Sequence, residues 1–114
     1  MKNTMEAKKL YVSLPITGRV LSDVKLYAKA IKKRWESKGH EVITPFDVVA
    51  NEQDYAGCMG KDIEALLKCD GIVMCSDWFC SKGCRLEYTA AEIYGLKRFV
   101  ETTPYVGRFE SVNK

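Results

Sequence analysis

Four short strand-like segments, Lys9–Leu14, Glu41–Thr44, the apolar run Gly71–Cys75 and Arg98–Val100, alternate along the chain with stretches whose apolar residues recur every three or four positions. Runs this short cannot make a helix, whereas the longer spacing buries one stripe of a helix and leaves the rest to water. Strands and helices in alternation, joined by short links, bury their apolar sides together as a parallel sheet covered by helices. The expected fold class is therefore α/β, a three-layer flavodoxin- or Rossmann-like sandwich with a four- or five-stranded parallel sheet.

The first run stops at Pro15. From Ser22 to about Lys38, the residues Val24, Tyr27, Ala28, Ile31 and Trp35 share one stripe, and Gly39 supplies the stop. Phe46 to Ala56 is mixed, with a short helical turn near Asp47. Met59, Ile63, Leu66 and Leu67 predict a helix over Cys58–Lys68, and Leu86, Ala90 and Ile93 predict the buried face of a helix over Lys82–Tyr94, ended by Gly95.

A chain of 114 residues supports one core, so residues 1–114 are read as a single domain. Its 46% hydrophobic and 29% charged residues are ordinary globular usage, unlike the composition of a disordered chain. The net charge of +3 is dispersed, and its densest run, Lys32-Lys33-Arg34, falls on the polar face of a helix; no nucleic-acid polymer is expected as partner. No apolar run approaches the ~20 residues of a membrane helix, and the first residues lack the apolar segment of a signal peptide, which predicts no membrane partner and a cytoplasmic protein. The five cysteines, Cys58, Cys69, Cys75, Cys80 and Cys84, form no CxxC pair; in a reducing compartment they read as small core residues.

In parallel sheets, ligands bind beyond the carboxyl ends of the strands, near the point where strand order reverses. That rule selects Pro15–Arg19, the loop after the second strand, and Ser76–Gly83. Glu87 borders the core of the helix that follows, where a half-buried carboxylate can be positioned and its pKa tuned for nucleophilic or acid/base work; by position alone it is equally a surface glutamate. Asp62 holds a similar place one helix earlier, where an acid is often only a partner for the positive helix end. Ser81 and Gly83 straddle a helix start, which suits an anion, although a serine there is also an ordinary N-cap. Pro15-Ile16-Thr17-Gly18-Arg19 offers a hydroxyl, a glycine and a guanidinium suited to ribose or phosphate. Trp78 and Phe79 either stack on a base, close the core edge or contact a protein partner. His40 and Cys80-x-x-x-Cys84 lack further ligands, so no metal is expected, and no histidine stands ready to activate a cysteine.

Taken together, the run Tyr11-Val-Ser-Leu-Pro-Ile-Thr-Gly18, Asp62 eight residues before Asp70, and Ser81-x-Gly83-x-x-x-Glu87 with Ala91 and Gly95 beyond resemble the nucleoside 2-deoxyribosyltransferase superfamily. The likeness extends from about Lys9 to Val100, and the GHEV-type second strand is similar to that of its short phage and bacterial members. The resemblance implies that Glu87 attacks the anomeric carbon of a deoxyribose and that Asp62 assists at the base and leaving group. It implies that Ser81, a serine here as in the related 2'-deoxynucleoside 5'-phosphate N-hydrolases, forms a 5'-phosphate pocket with Gly83. Tyr11, Ile16, Thr17 and Gly18 match the loop around sugar and base; Ser13, Pro15 and Trp78 complete the expected substrate-binding set.

Such chemistry suits a carboxylate pair, because an anion beneath the sugar stabilises or traps the oxocarbenium-like transition state while an acid protonates the departing base. No cofactor is implied. The implied partner is a small-molecule nucleoside or nucleotide, in a homo-oligomer whose family members donate a polar C-terminal residue to a neighbour's site; Ser111 or Asn113 are the candidates here. The alternative expectation is a non-catalytic nucleotide-binding module of the same fold.

Overall fold

The computed structural model describes residues 8–48 and 54–110, so Ser111 and Asn113 lie outside the described residues. Its elements are strand β1 (Lys9–Ser13), helix α1 (Leu21–Glu36), β2 (Glu41–Ile43), α2 (Pro45–Val48), α3 (Tyr55–Leu67), β3 (Gly71–Cys75), a 3-10 turn (Trp78–Cys80), α4 (Lys82–Ile93) and β4 (Lys97–Glu101). The four strands form one parallel sheet in the order β2-β1-β3-β4. The expected α/β three-layer fold is thus present with four strands.

Side chains of a strand point alternately to opposite faces, and this sorts β1. Leu10, Val12 and Leu14 join Val24, Ala28, Ile31 and Trp35 of α1 in one core. Tyr11 turns the other way, into the core beneath α3 and α4 with Leu66, Ile72, Met74, Cys84 and Ala91. Ser13 is two residues on from Tyr11 and fully buried. A Cβ at Gly71 would stand 3.0 Å from the Lys97 carbonyl and 3.1 Å from Leu10, so only glycine starts β3 between β1 and β4 at this spacing.

Helix α4 departs from its sequence pattern. Leu86 and Ile93, expected to pack inward, are 50% and 70% exposed, and the buried residues are Cys84, Glu87 and Ala91. The helix is turned so that a carboxylate, not the aliphatic stripe, meets the sheet, and hydroxyls on β1 compensate the buried charge as described below. The last strand is longer than Arg98–Val100 because Lys97 and Glu101 also pair with β3. Of the cysteines, Cys69, Cys75 and Cys84 are buried as expected, but Cys80 is exposed and Cys58 intermediate.

After β4 the chain turns back as a strap. Glu101 is 4% exposed and accepts hydrogen bonds from Trp35 Nε1 (2.8 Å), Arg34 Nε (3.1 Å) and the Thr103 amide (2.9 Å). The strap then bridges Phe109 to Arg19, and the amide of Glu110 donates to the Gly18 carbonyl (2.9 Å). Arg108 grips Asp23 of α1 through Nε (2.9 Å) and its amide (2.8 Å). No described helix is long and apolar enough to cross a membrane.

Candidate functional site

From β1 the chain moves to β2 on one side and later to β3 on the other, so the strand order reverses between β1 and β3. The loops leaving these two strands diverge and open a crevice at their carboxyl ends. A cleft of about 950 Å³ lies there, walled by Pro15, Ile16, Thr17, Pro45, Phe46 and residues of α3 and α4. Asp62, Glu87, Ser81 and Gly83 line the same cleft.

Glu87 is 4% exposed at its inner end. The Ser13 hydroxyl donates to Oε1 (2.6 Å) and the Tyr11 hydroxyl donates to Oε2 (2.9 Å). Each oxygen is therefore held by one β1 side chain, which fixes the carboxyl plane. Burial, helped by the Asp62 charge, pushes the Glu87 pKa up to about 7 against the pull of the two hydroxyls. Burial likewise raises Asp62 to about 6, opposed by the Tyr11 hydroxyl. Asp62 Oδ1 is buried and without a hydrogen-bond partner. Tyr11, buried beside both acids, has its own pKa raised well above 10.0, so its proton stays available for donation.

The remaining expected residues divide by position. Tyr11 and Ser13 stand behind Glu87 and brace it, being fully buried and not part of the cleft wall. Pro15, Ile16 and Thr17 form the wall, and Gly18 makes the turn behind them at φ +83°, a conformation that glycine adopts without strain. Ser81 is the N-cap of α4, its Oγ accepting from the Cys84 amide (3.2 Å). Gly83 lets α3 approach, since a Cβ there would lie 3.3 Å from Met59 Sδ. Trp78 is not brought to the cleft wall: its ring stacks on Tyr88 at 4.5 Å, and Phe79 meets it edge-on.

The stretch from residue 8 to 99 matches the family described as a domain of unknown function, DUF4406. The chain belongs to that family. No curated protein matches it. The DUF4406 match spans β1, both acids and the Ser81–Glu87 segment, and it ends within β4, short of the strap.

Tyr55, Met59 and Phe109 also line the cleft of this DUF4406 chain, and none of them was a candidate site residue from the sequence. Phe109 carried no signal, because nothing in its neighbourhood shows that the strap doubles back. Arg19 was visible only as part of a turn. It is 8% exposed, pairs with Asp77, and its guanidinium lies over the rings of Tyr105 (4.4 Å) and Phe109 (5.3 Å), which meet edge-on. Among the described residues, no three His, Cys, Asp or Glu side chains gather as a metal site. A smaller hollow of about 260 Å³ lies at the opposite end of the strands, beside Lys9 and Lys68, and its one acid, Glu64, is paired to Lys68.

Proposed function

We propose that this chain cleaves or transfers the N-glycosidic bond of 2'-deoxynucleosides or their 5'-monophosphates, with Glu87 as nucleophile and Asp62 as acid to the departing base. The observation that carries this reading is the pair of carboxyl groups on one cleft, one of them clamped by Ser13 and Tyr11, both raised toward neutral pH. The resemblance to the nucleoside 2-deoxyribosyltransferase superfamily supports it independently. A cleft of about 950 Å³ is of the size that small-ligand sites take.

The clamp leaves each Glu87 oxygen with a free lone pair. One oxygen bonds to the anomeric carbon as the bond from that carbon to the base nitrogen breaks; the bonding pair leaves with the base, which takes a proton from Asp62. Water or a second base then attacks the same carbon, gives its proton back to the ionised Asp62, and releases Glu87 as a carboxylate. The two acids titrate as a pair, and the step requires the one proton of that pair to sit on Asp62 while Glu87 is ionised. Ser81, Lys82 and the free amides of the first turn of α4 favour a phosphorylated sugar, because a helix start attracts an anion and the Ser81 hydroxyl still has its proton to donate. The reading needs no cofactor, and it implies a cytoplasmic enzyme of nucleotide metabolism working as a homo-oligomer.

Chromatographic assay of base release tests it, using the common 2'-deoxynucleosides and their 5'-monophosphates with and without a free acceptor base. Release or exchange is expected, and Glu87→Gln should reduce it by about three orders of magnitude or more. No release or exchange across the panel removes the catalytic reading. Tight binding of a nucleotide that stays intact would instead leave a non-catalytic nucleotide-binding module.

A further inference from the structure

The strap after β4 has a fixed root and a loosely held end. At the root, Glu101 is buried against Trp35, and the Tyr27 hydroxyl donates to the Thr103 carbonyl (2.6 Å). Beyond Pro104 the segment from Tyr105 to Glu110 doubles back over the loop that leaves β1. Arg108 grips Asp23 from solvent, its carbonyl accepts from the Val20 amide (3.0 Å), and the rings of Tyr105 and Phe109 cover the Arg19 guanidinium. Two details show how finely this position is balanced. Arg19 Nη1 is buried and has no hydrogen-bond partner among the described residues, and an unpaired donor destabilises the state that buries it. At Gly107 there is no spare room, because a Cβ would stand 2.5 Å from the Tyr105 hydroxyl oxygen and 2.7 Å from Asp23 Cβ. Lifting the segment returns Nη1 to water, and a single methyl group at residue 107 is enough to prevent it from lying flat.

We propose that residues 105–110 form a cover that the chain lays over its own cleft, lifting to admit a ligand and closing with Phe109 against the ligand's planar ring. Phe109 is the residue through which this segment reaches the cleft wall, and it is 63% exposed. Arg19 lies over its ring, while Phe46 and the 61% exposed Tyr55 bring two more rings to the same cleft. Aromatic walls suit a flat heteroaromatic ring of nucleobase size, since stacked or edge-on rings gain attraction beyond the area they bury. The ligand then supplies contacts that exist only with the cover down, so binding and closure stabilise one another.

The cover lies beyond residue 99, where the family match ends. Whereas the resemblance implies a polar residue lent by a neighbour, the covering ring here belongs to the same chain as Glu87. The choice of a nucleobase as the ligand's ring rests on the glycosidic reading proposed above; the hinge rests on the strap alone.

Limited trypsin digestion of the full chain, with the cuts located by mass spectrometry, reads the hinge, because the Arg108–Phe109 bond is open to the protease only while the segment is lifted. Gly107→Ala props the segment up, and Asp23→Ala removes the acceptor of Arg108 without changing the segment's own sequence. Each should speed cleavage after Arg108 by about tenfold or more and leave cleavage at the lysines of α3 and α4 unchanged. Saturating 2'-deoxynucleoside 5'-monophosphate should slow the same cut in the parent, and Phe109→Ala should weaken calorimetric binding of that nucleotide by about tenfold. Cleavage after Arg108 as slow in both variants as in the parent, or acceleration spread over α3 and α4, would overturn the cover. So would a nucleotide that binds the parent yet leaves this cut as fast as before. If no nucleotide binds, the functional reading falls and takes the nucleobase with it, while digestion of the two variants still decides the hinge.

Discussion

Replacing Glu87 by glutamine should make the protein more stable at alkaline pH and change little at acid pH. The carboxyl group titrates near 7 in the fold against an ordinary value of 4.5, because burial penalises its charge by more than the Ser13 and Tyr11 hydroxyls recover. A pKa unit is worth about 1.4 kcal/mol, so keeping Glu87 ionised in the fold costs about 3 kcal/mol once the pH exceeds both values. The sign follows from proton counting: between about 4.5 and 7 the folded chain holds more protons at this site than the unfolded one, so stability falls as pH rises through that window. Glutamine has the same shape and no charge to bury. Its amide loses or gains hydrogen bonds equally at every pH, so the comparison that matters is the difference between pH 4.5 and pH 8 for each protein. Urea unfolding followed by circular dichroism should show Glu87→Gln gaining about 2 to 3 kcal/mol relative to the parent between those two conditions. An advantage of the same size at both pH values would show that Glu87 carries no ionisation penalty in the fold.

Tyr11→Phe should raise the Glu87 pKa further by removing the hydroxyl that donates to Oε2, so the acid limb of any pH–rate profile should move to higher pH while the far-ultraviolet spectrum is unchanged. Trp35→Phe leaves Glu101 one donor short in a buried setting and should cost about 1 to 3 kcal/mol in thermal or urea unfolding. Glu101 itself is pushed up by burial but held down to about 2 by Thr103, Trp35 and Arg34, so its contribution is present above the ordinary value of 4.5 and is lost as pH falls toward 2; acid unfolding of Trp35→Phe should begin at higher pH than in the parent. Ser81→Ala removes the N-cap of α4 and should cost about 1 kcal/mol, whereas Ser81→Gly should cost only a few tenths.

The alternation of strands and helices was legible because β1 and β3 are short apolar runs and Gly39 and Gly95 sit where α1 and α4 end. Leu10, Val12, Ile72 and Val73 are buried, as their runs require. Helix α4 misled for a definite reason. Its strongest apolar periodicity belongs to a face left open to solvent, and its inward face contains a glutamate that only the hydroxyls of a strand more than 70 residues away make tolerable. No local pattern encodes such a pairing. Trp78 read equally as a platform for a base or as a closure of the core edge, and Tyr88, ten residues on, occupies one face of its ring. The strap was illegible because its order comes from distant partners, Asp23, Gly18 and Arg19, rather than from any periodicity of its own.

That strap links two properties usually measured separately. It is tied to α1 through Glu101, Thr103 and Arg108, yet Phe109 near its end forms part of the cleft wall. Beyond the buried Glu101–Trp35 bond its hydrogen bonds are exposed, which places its outer part among the segments that open locally without global unfolding. A molecule that touches Phe109 binds the closed form alone, so amide exchange at Val20 and Glu110, whose bonds hold the strap to the first loop, should slow in proportion to occupancy. Exchange rates at two backbone positions thus become a titration curve for the cleft, readable before any substrate has been identified.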